Sequence, residues 1–342
     1  VRRGESIRLE VVVRTRRVGH VFPAGTVDAF DVWVELEAVD DRGRVILHSG
    51  AREGGSGPVD PGAHVYRSLL LDERGSPINK RNAWAARSVA YVRLIPPGAA
   101  DTIHYRLDIP PVAGDRIVVT ARLNYRKFAW WNTQWAFAGV RDPSDQAYSL
   151  ESGHDAGRWV FTGDTSRVSG QVKAIPDLPV TVMAVSEATL AVRPAGADLP
   201  DERPFLDRSV RERWNDYGIG LLLQGDLKGA EAAFLKVTGM DPDYADGWVN
   251  VGRARIQEGN LEGAEQVLRR ALAVDPELAR THFFLGTVLK SLGRYDEAIG
   301  HLERAASQYP RDRVVLNQLG RVRFLKRQYG EAVVEFRKVL KI

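Results

Sequence analysis

Apolar and polar residues alternate with a period of two in six short runs of the first half, at 7–13, 30–39, 65–71, 89–94, 102–109 and 117–123. Successive side chains of a strand point to opposite faces, so each run predicts a strand with one face buried. Turn-forming clusters separate the runs. Asp40-Asp41-Arg42-Gly43 reads as a hairpin connection, and Asp72-Glu73-Arg74-Gly75 as a second turn of the same kind. A last strand is expected over 175–184, entered through a bend stiffened by Pro176 and Pro179. Seven or so short strands at this spacing predict an antiparallel β-sandwich over residues 1–195. Residues 194–204, rich in Pro, Ala and Asp, predict a linker, placed at 196–210.

Beyond residue 206 the apolar spacing becomes helical and a longer period takes over. Gly218, Gly252, Gly286 and Gly320 lie 34 residues apart; Ala230, Ala264, Ala298 and Ala332 keep that step, as do Pro242, Pro276 and Pro310. A small residue where paired helices touch, with a proline closing each unit, predicts an α-solenoid of stacked helix pairs. The units run 211–244, 245–278, 279–312 and 313–342, the last incomplete.

On these residues the array resembles the tetratricopeptide repeat (TPR) family. Trp214, Gly218, Leu221, Ala230, Phe234 and Pro242 fall on the family's signature positions, and Trp248, Gly252, Gly259, Ala264, Ala271 and Pro276 do so one period later. Leu285, Gly286, Tyr295, Ala298, Ala305 and Pro310 follow, then Leu319, Gly320, Tyr329, Ala332 and Phe336. The fourth unit reaches neither its closing proline nor a polar capping helix, so further repeats are expected after Ile342. Val1 is not an initiator, and residues are expected before it as well.

The resemblance implies a protein-binding groove lined by the first helix of each pair. Its expected lining is Asn215, Ile219 and Leu222, then Val249, Arg253 and Ile256, then Phe283, Thr287 and Lys290, then Asn317, Arg321 and Phe324. Arg253, Lys290, Arg321, Phe283 and Phe324 are the candidate partner-binding residues. Apolar patches interspersed with cations suit an extended peptide with an acidic or C-terminal carboxylate end. The plainer alternative is that these cations only keep an exposed face soluble.

Composition narrows the remaining classes. Of 342 residues, 48 are Lys or Arg and 44 are Asp or Glu; the excess of +4 is too small and too dispersed to make a nucleic-acid face. No apolar run approaches the roughly 20 residues of a membrane helix. The absence of cysteine excludes disulfides, thiolate metal sites and covalently attached haem within this stretch. Catalysis finds no constellation: His48-Ser49 lacks a Gly-x-Ser-x-Gly elbow, and Gly54-Gly55-Ser56-Gly57 lacks the Lys that would follow in a phosphate loop. Asp28 and Asp31 offer a calcium ion two carboxylates, fewer than it needs.

Two stretches of the strand-rich half carry unusual chemistry. In Gly19-His20-Val21-Phe22-Pro23-Ala24-Gly25 an imidazole sits on a stiff turn, either bonded to backbone or free to reach a metal or a partner. In the stretch from Tyr125 to Phe137, Trp130, Trp131 and Trp135 stand among further aromatics and two cations. They could stack on a sugar, a base or a porphyrin edge, or serve as a strand end that plugs the sandwich or docks another domain.

Together with Ile95-Pro96-Pro97-Gly98 and the run at 175–184, these stretches resemble the region after the haem-bearing part of bacterial multihaem c-type cytochromes that end in TPR repeats. The resemblance implies an exported electron-transfer protein, periplasmic or extracellular, whose haem c is carried by upstream residues or a neighbouring subunit. It implies that the β domain packs on that haem region. His20 then becomes a possible distal haem ligand, with His64 as a weaker candidate. The competing expectation is a non-redox adhesion or assembly module, with a glycan- or protein-binding sandwich, a TPR scaffold and possible self-assembly.

Overall fold

Residues 1–26, 29–78, 85–141, 159–199 and 208–342 are described by the computed structural model. The strands are β1 (Ser6–Arg14), β2 (Asp31–Asp40), β3 (Val45–Ser49), β4 (His64–Val65), β5 (Ser68–Leu71), β6 (Ser88–Val92), β7 (Ala100–Asp108), β8 (Arg116–Arg126), β9 (Gly139–Arg141), β10 (Trp159–Phe161) and β11 (Val180–Ala191). One short helix, α1 (Trp130–Ala138), interrupts them.

The first unit is organised by a five-stranded antiparallel sheet in the order β11-β8-β2-β3, with β4 beside β2. β2 is the most buried of the described strands, and its Leu36 and Ala38 meet Ile117 and Val119 of β8. Leu107 of β7 and Ile7, Leu9 and Val11 of β1 cover this face, so the β1–β7 ribbon closes the core. The expected Asp40–Gly43 turn joins β2 to β3. Asp40 accepts from the backbone N–H of Arg44 (2.8 Å) and Arg42 (3.0 Å), and these bonds, the Arg44 one above all, hold its carboxyl below the usual range.

Two expectations about strands are corrected. The run at 65–71 is not one strand: Trp33 pairs with Val65, whereas Ser68–Leu71 pairs with β6. Tyr66 between them is fully buried and donates its backbone N–H to Val32, so a single apolar run serves two partners. The aromatic segment after Arg126 is a helix rather than a strand end. Asp31 accepts from the Trp130 backbone N–H (3.2 Å), and Thr133, Gln134 and Ala138 form its buried side.

The second unit holds four antiparallel helix pairs: α2 (Arg211–Gln224) with α3 (Leu227–Met240), α4 (Ala245–Glu258) with α5 (Leu261–Val274), α6 (Ala279–Ser291) with α7 (Tyr295–Gln308), and α8 (Arg313–Leu325) with α9 (Tyr329–Leu340). Helix starts carry the side chains that free N–H groups need: Asp226, Asn260 and Asp312 accept from residues two or three positions on. The repeating glycine has a packing cause. A Cβ at Gly218 would lie 2.6 Å from Phe234, one at Gly252 2.8 Å from Leu268, one at Gly286 2.7 Å from Leu302 and one at Gly320 2.7 Å from Phe336. Close helix approach lets one continuous core run from Leu221 to Val322. This unit also includes Val12–Arg14 and Ala99–Thr102, the far ends of β1 and β7.

Candidate docking groove

The first helices of successive pairs touch one another, α2 to α4, α4 to α6 and α6 to α8, and so align their faces in one row. At its start Asn250 donates to Asn215 (2.8 Å), a buried pair that locks two helices in register. Asn250 Oδ1 in turn accepts from Arg253 (3.0 Å) and Arg280 (3.4 Å), and Arg280 also pairs with Asp246. Arg253 lies 5.7 Å from the Phe284 ring. Burial, reinforced by Arg280, pulls its guanidinium down to about 10. Further along, Lys290 donates to Gln318 (2.6 Å), and burial together with the nearby charge of Arg321 lowers its pKa.

These cations differ from others of the array in one respect. Arg255 pairs with Glu231 (2.7 Å), Arg294 with Glu265 and Glu297, and Arg323 with Glu303 and Glu335. Arg253, Lys290 and Arg321 have no carboxylate within pairing distance among the described residues. Burial and a neighbouring cation bear on both Arg253, beside Arg280, and Lys290, beside Arg321, with only Asp246 acting on Arg253 from a distance, so the face favours an incoming anion.

The remaining expected lining divides. Phe324 is exposed and stands edge-on to Tyr329 (5.5 Å), Asn317 is exposed, and Phe283 is half-buried against Phe284. Leu222 and Val249 are buried in the helix core and do not line the groove. Arg280 is exposed there and lay outside the expected set, while the buried Asn250 holds Arg253 and Arg280 from beneath. The signal was positional: Asn250 adjoins Val249, and Arg280 stands three residues, about one helical turn, before Phe283.

The candidates of the strand-rich unit lie elsewhere. His20 is exposed, with Nδ1 2.9 Å from the Val21 carbonyl. His64 is half-buried, edge-on to Tyr66 at 5.1 Å. Trp131 is exposed, while Trp130 and Trp135 are half-buried. Asp31 is engaged by Arg126 (2.7 Å), so it is not a free calcium ligand; Asp28 lies outside the described residues. Among the described residues no cluster of three or more metal-binding side chains occurs, and no helix is long and apolar enough to cross a membrane.

The tetratricopeptide repeat family model matches residues 221–282 and again 279–322, so the C-terminal part of the chain carries tetratricopeptide repeats. No curated protein matches the chain. Among solved structures it is similar to MamA, at 26% identity over 38% of this chain and 77% of that one, with a TM-score of 0.36. It is also similar to pilF of Pseudomonas aeruginosa, at 28% identity over 39% of this chain and 61% of that one, TM-score 0.37. A thermophilic TPR protein of Thermus thermophilus aligns at 22% identity over 38% of this chain and 73% of its own, TM-score 0.36.

Proposed function

We propose that the helical array is an assembly scaffold whose groove takes an extended, carboxylate-bearing segment of a partner protein. The observation that carries this reading is the row Arg253, Lys290 and Arg321, none of which makes a direct ion pair with a described residue while Arg255, Arg294 and Arg323 are paired. Apolar Phe283 and Phe324 beside the cations give side-chain contacts between the charged points. The strand-rich unit then acts as a second, separately folded module, read as a two-layered sandwich in which the β1–β7 ribbon covers the five-stranded sheet. The test is fluorescence anisotropy of an Asp/Glu-rich peptide and its Asn/Gln counterpart. Tighter binding of the acidic form, weakened about tenfold or more by Lys290→Glu or Arg321→Glu with an unchanged melting temperature, is the expected result. Equal binding of both peptides, indifferent to charge reversal, would exclude this role for the cations.

A second reading is favoured by His20. The Val21 carbonyl can only accept, so Nδ1 carries the proton and Nε2 is left as a lone-pair donor, the arrangement typical of ligating histidines. In this reading the chain is the non-haem part of an exported electron-transfer protein, periplasmic or extracellular. His20, with His64 in reserve, completes the coordination of a haem c held by an upstream region or a neighbouring subunit. The haem supplies the electron transfer; this chain supplies an imidazole on a rigid turn. An oxidised and dithionite-reduced spectrum of the native assembly tests it: loss of one low-spin signal in His20→Ala supports the role, and a spectrum without a Soret band excludes it.

A further inference from the structure

The strand-rich unit contains a cleft that the docking reading leaves unused. Arg126 at the end of β8 is 2% exposed on its side chain and is held by Asp31 (Nη2 to Oδ2, 2.7 Å) and by the carbonyls of Ser56 (3.1 Å) and Gly57 (2.9 Å). Trp130 packs beside it at the start of α1. This pair lines two cavities, one of about 260 Å³ closed by Ile175, Pro176 and Leu178, and one of about 160 Å³ walled by Trp33 and Trp131. Gln134 lines the larger cavity. Its residue is 7% exposed, and its carboxamide makes no hydrogen bond to any described residue. The unpartnered carboxamide thus lines the cavity with donors and an acceptor to spare for a ligand.

We infer that this cleft binds a neutral sugar ring of a glycan. Three observations select that ligand. First, the buried charges cancel: Arg126 and Asp31 neutralise each other, and four of the five guanidinium N–H groups are already directed at Asp31, Ser56 and Gly57. In the larger cavity an anion therefore finds no free cation, and the exposed carboxylate of Asp177 opposes one; the smaller cavity adds Arg67 and Asp60, again one charge of each sign. Second, Gln134 offers both a donor and an acceptor. A hydroxyl is the group that satisfies both at once, and the Thr133 hydroxyl and Asp177 stand along the same cavity. Third, the walls are aromatic. Trp130 and Trp131 stand nearly perpendicular (84°, centroids 4.6 Å apart), and Trp131 is 49% exposed, so flat apolar faces are available to the C–H face of a pyranose. A volume of about 260 Å³ falls just below the range of drug-sized pockets and suits one ring.

The test titrates the whole chain with glucose, galactose, mannose and N-acetylglucosamine and with short oligomers of each, following tryptophan fluorescence and calorimetric heat. Saturable binding of at least one neutral sugar, weakened about tenfold in Gln134→Leu, is expected. Gln134→Leu keeps the side-chain volume. Trp131→Ala, on an exposed ring, is a second variant with little structural burden, and it should also weaken binding while leaving the melting temperature in place. Absence of saturable response to every sugar overturns the proposal. So does preferential binding of glucuronate or sulfated sugars, or binding that both variants leave unchanged.

Discussion

Arg327 occupies a left-handed backbone conformation (φ 63°) in the turn between α8 and α9. The same place in the three preceding repeats is filled by Gly225, Gly259 and Gly293, with φ of 85°, 87° and 78°. A side chain in that region costs about 1 kcal/mol or more, so Arg327→Gly should raise the stability of the array by roughly that amount in chemical denaturation. The opposite change is expected where glycine meets a neighbouring helix. Gly252→Val places its Cβ 2.8 Å from Leu268, forces the α4–α5 pair apart and should destabilise it by about 1–3 kcal/mol. The contact glycines stood out in the sequence because the 34-residue step repeats them, whereas of the turn glycines only Gly259 was assigned. By contrast Gln134 and the Arg126–Asp31 pair carried no periodic signal. Asp31 and Arg126 are 95 positions apart and meet only because β2 and β8 are sheet neighbours.

At the scale of elements, the third repeat replaces the indole of its predecessor with an imidazole. Trp248 donates Nε1–H to the Pro242 carbonyl at 2.8 Å, and His282, one period later, places Nε2 2.8 Å from the Pro276 carbonyl. The carbonyl only accepts, so Nε2 carries the proton and Nδ1 of His282 accepts from His301 Nδ1–H (2.9 Å). Burial first, then the neighbouring His282, Arg269 and Arg304, lower the His301 pKa below its usual 6.5, against the weaker pull of Glu297. The folded array thus prefers the neutral ring. An unfolded chain takes up the proton sooner as pH falls, so the stability from this preference is complete above the unfolded value of 6.5 and is lost as pH drops below it. The melting temperature should fall between about pH 7.5 and pH 5.5, and His301→Val, the residue found at 267, should flatten that dependence. Helices with such strict spacing were legible from sequence. β11 was expected to end near residue 184 but runs to Ala191, and most of its residues are exposed on both faces, which removes the alternation that marks a half-buried strand. α1 was hidden for another reason: its aromatics favour strands, and only Asp31, far away in sequence, satisfies its first N–H.

At the scale of the whole molecule, the boundary of the helical unit does not follow the chain. Val12–Arg14 and Ala99–Thr102 belong to it, although both are continuations of strands. Arg14 pairs with Asp216 (2.8 Å), Thr102 donates to the Tyr217 carbonyl (3.4 Å), and Gly220 leaves room for Thr102 where a Cβ would collide with it. A solenoid needs its first helix covered, and among the described residues α2, unlike α4, α6 and α8, has no preceding helix pair to pack on. These strand ends supply that cover, as a polar capping helix does elsewhere in such arrays. Residues 208–342 expressed alone should therefore keep their helix content and lose roughly 1–3 kcal/mol of stability relative to the same helices in the full chain. Hydrogen exchange should place the loss first in α2 and leave α4–α7 protected. Equal stability of the fragment and the full chain would show that α2 is self-sufficient and that Arg14 and Thr102 only decorate it. A second comparison separates packing from charge. Arg14→Met in the full chain removes the pairs to Asp216 and Glu212 while leaving the strand ends in place, so any further fall on truncation must come from the covered surface around Gly220.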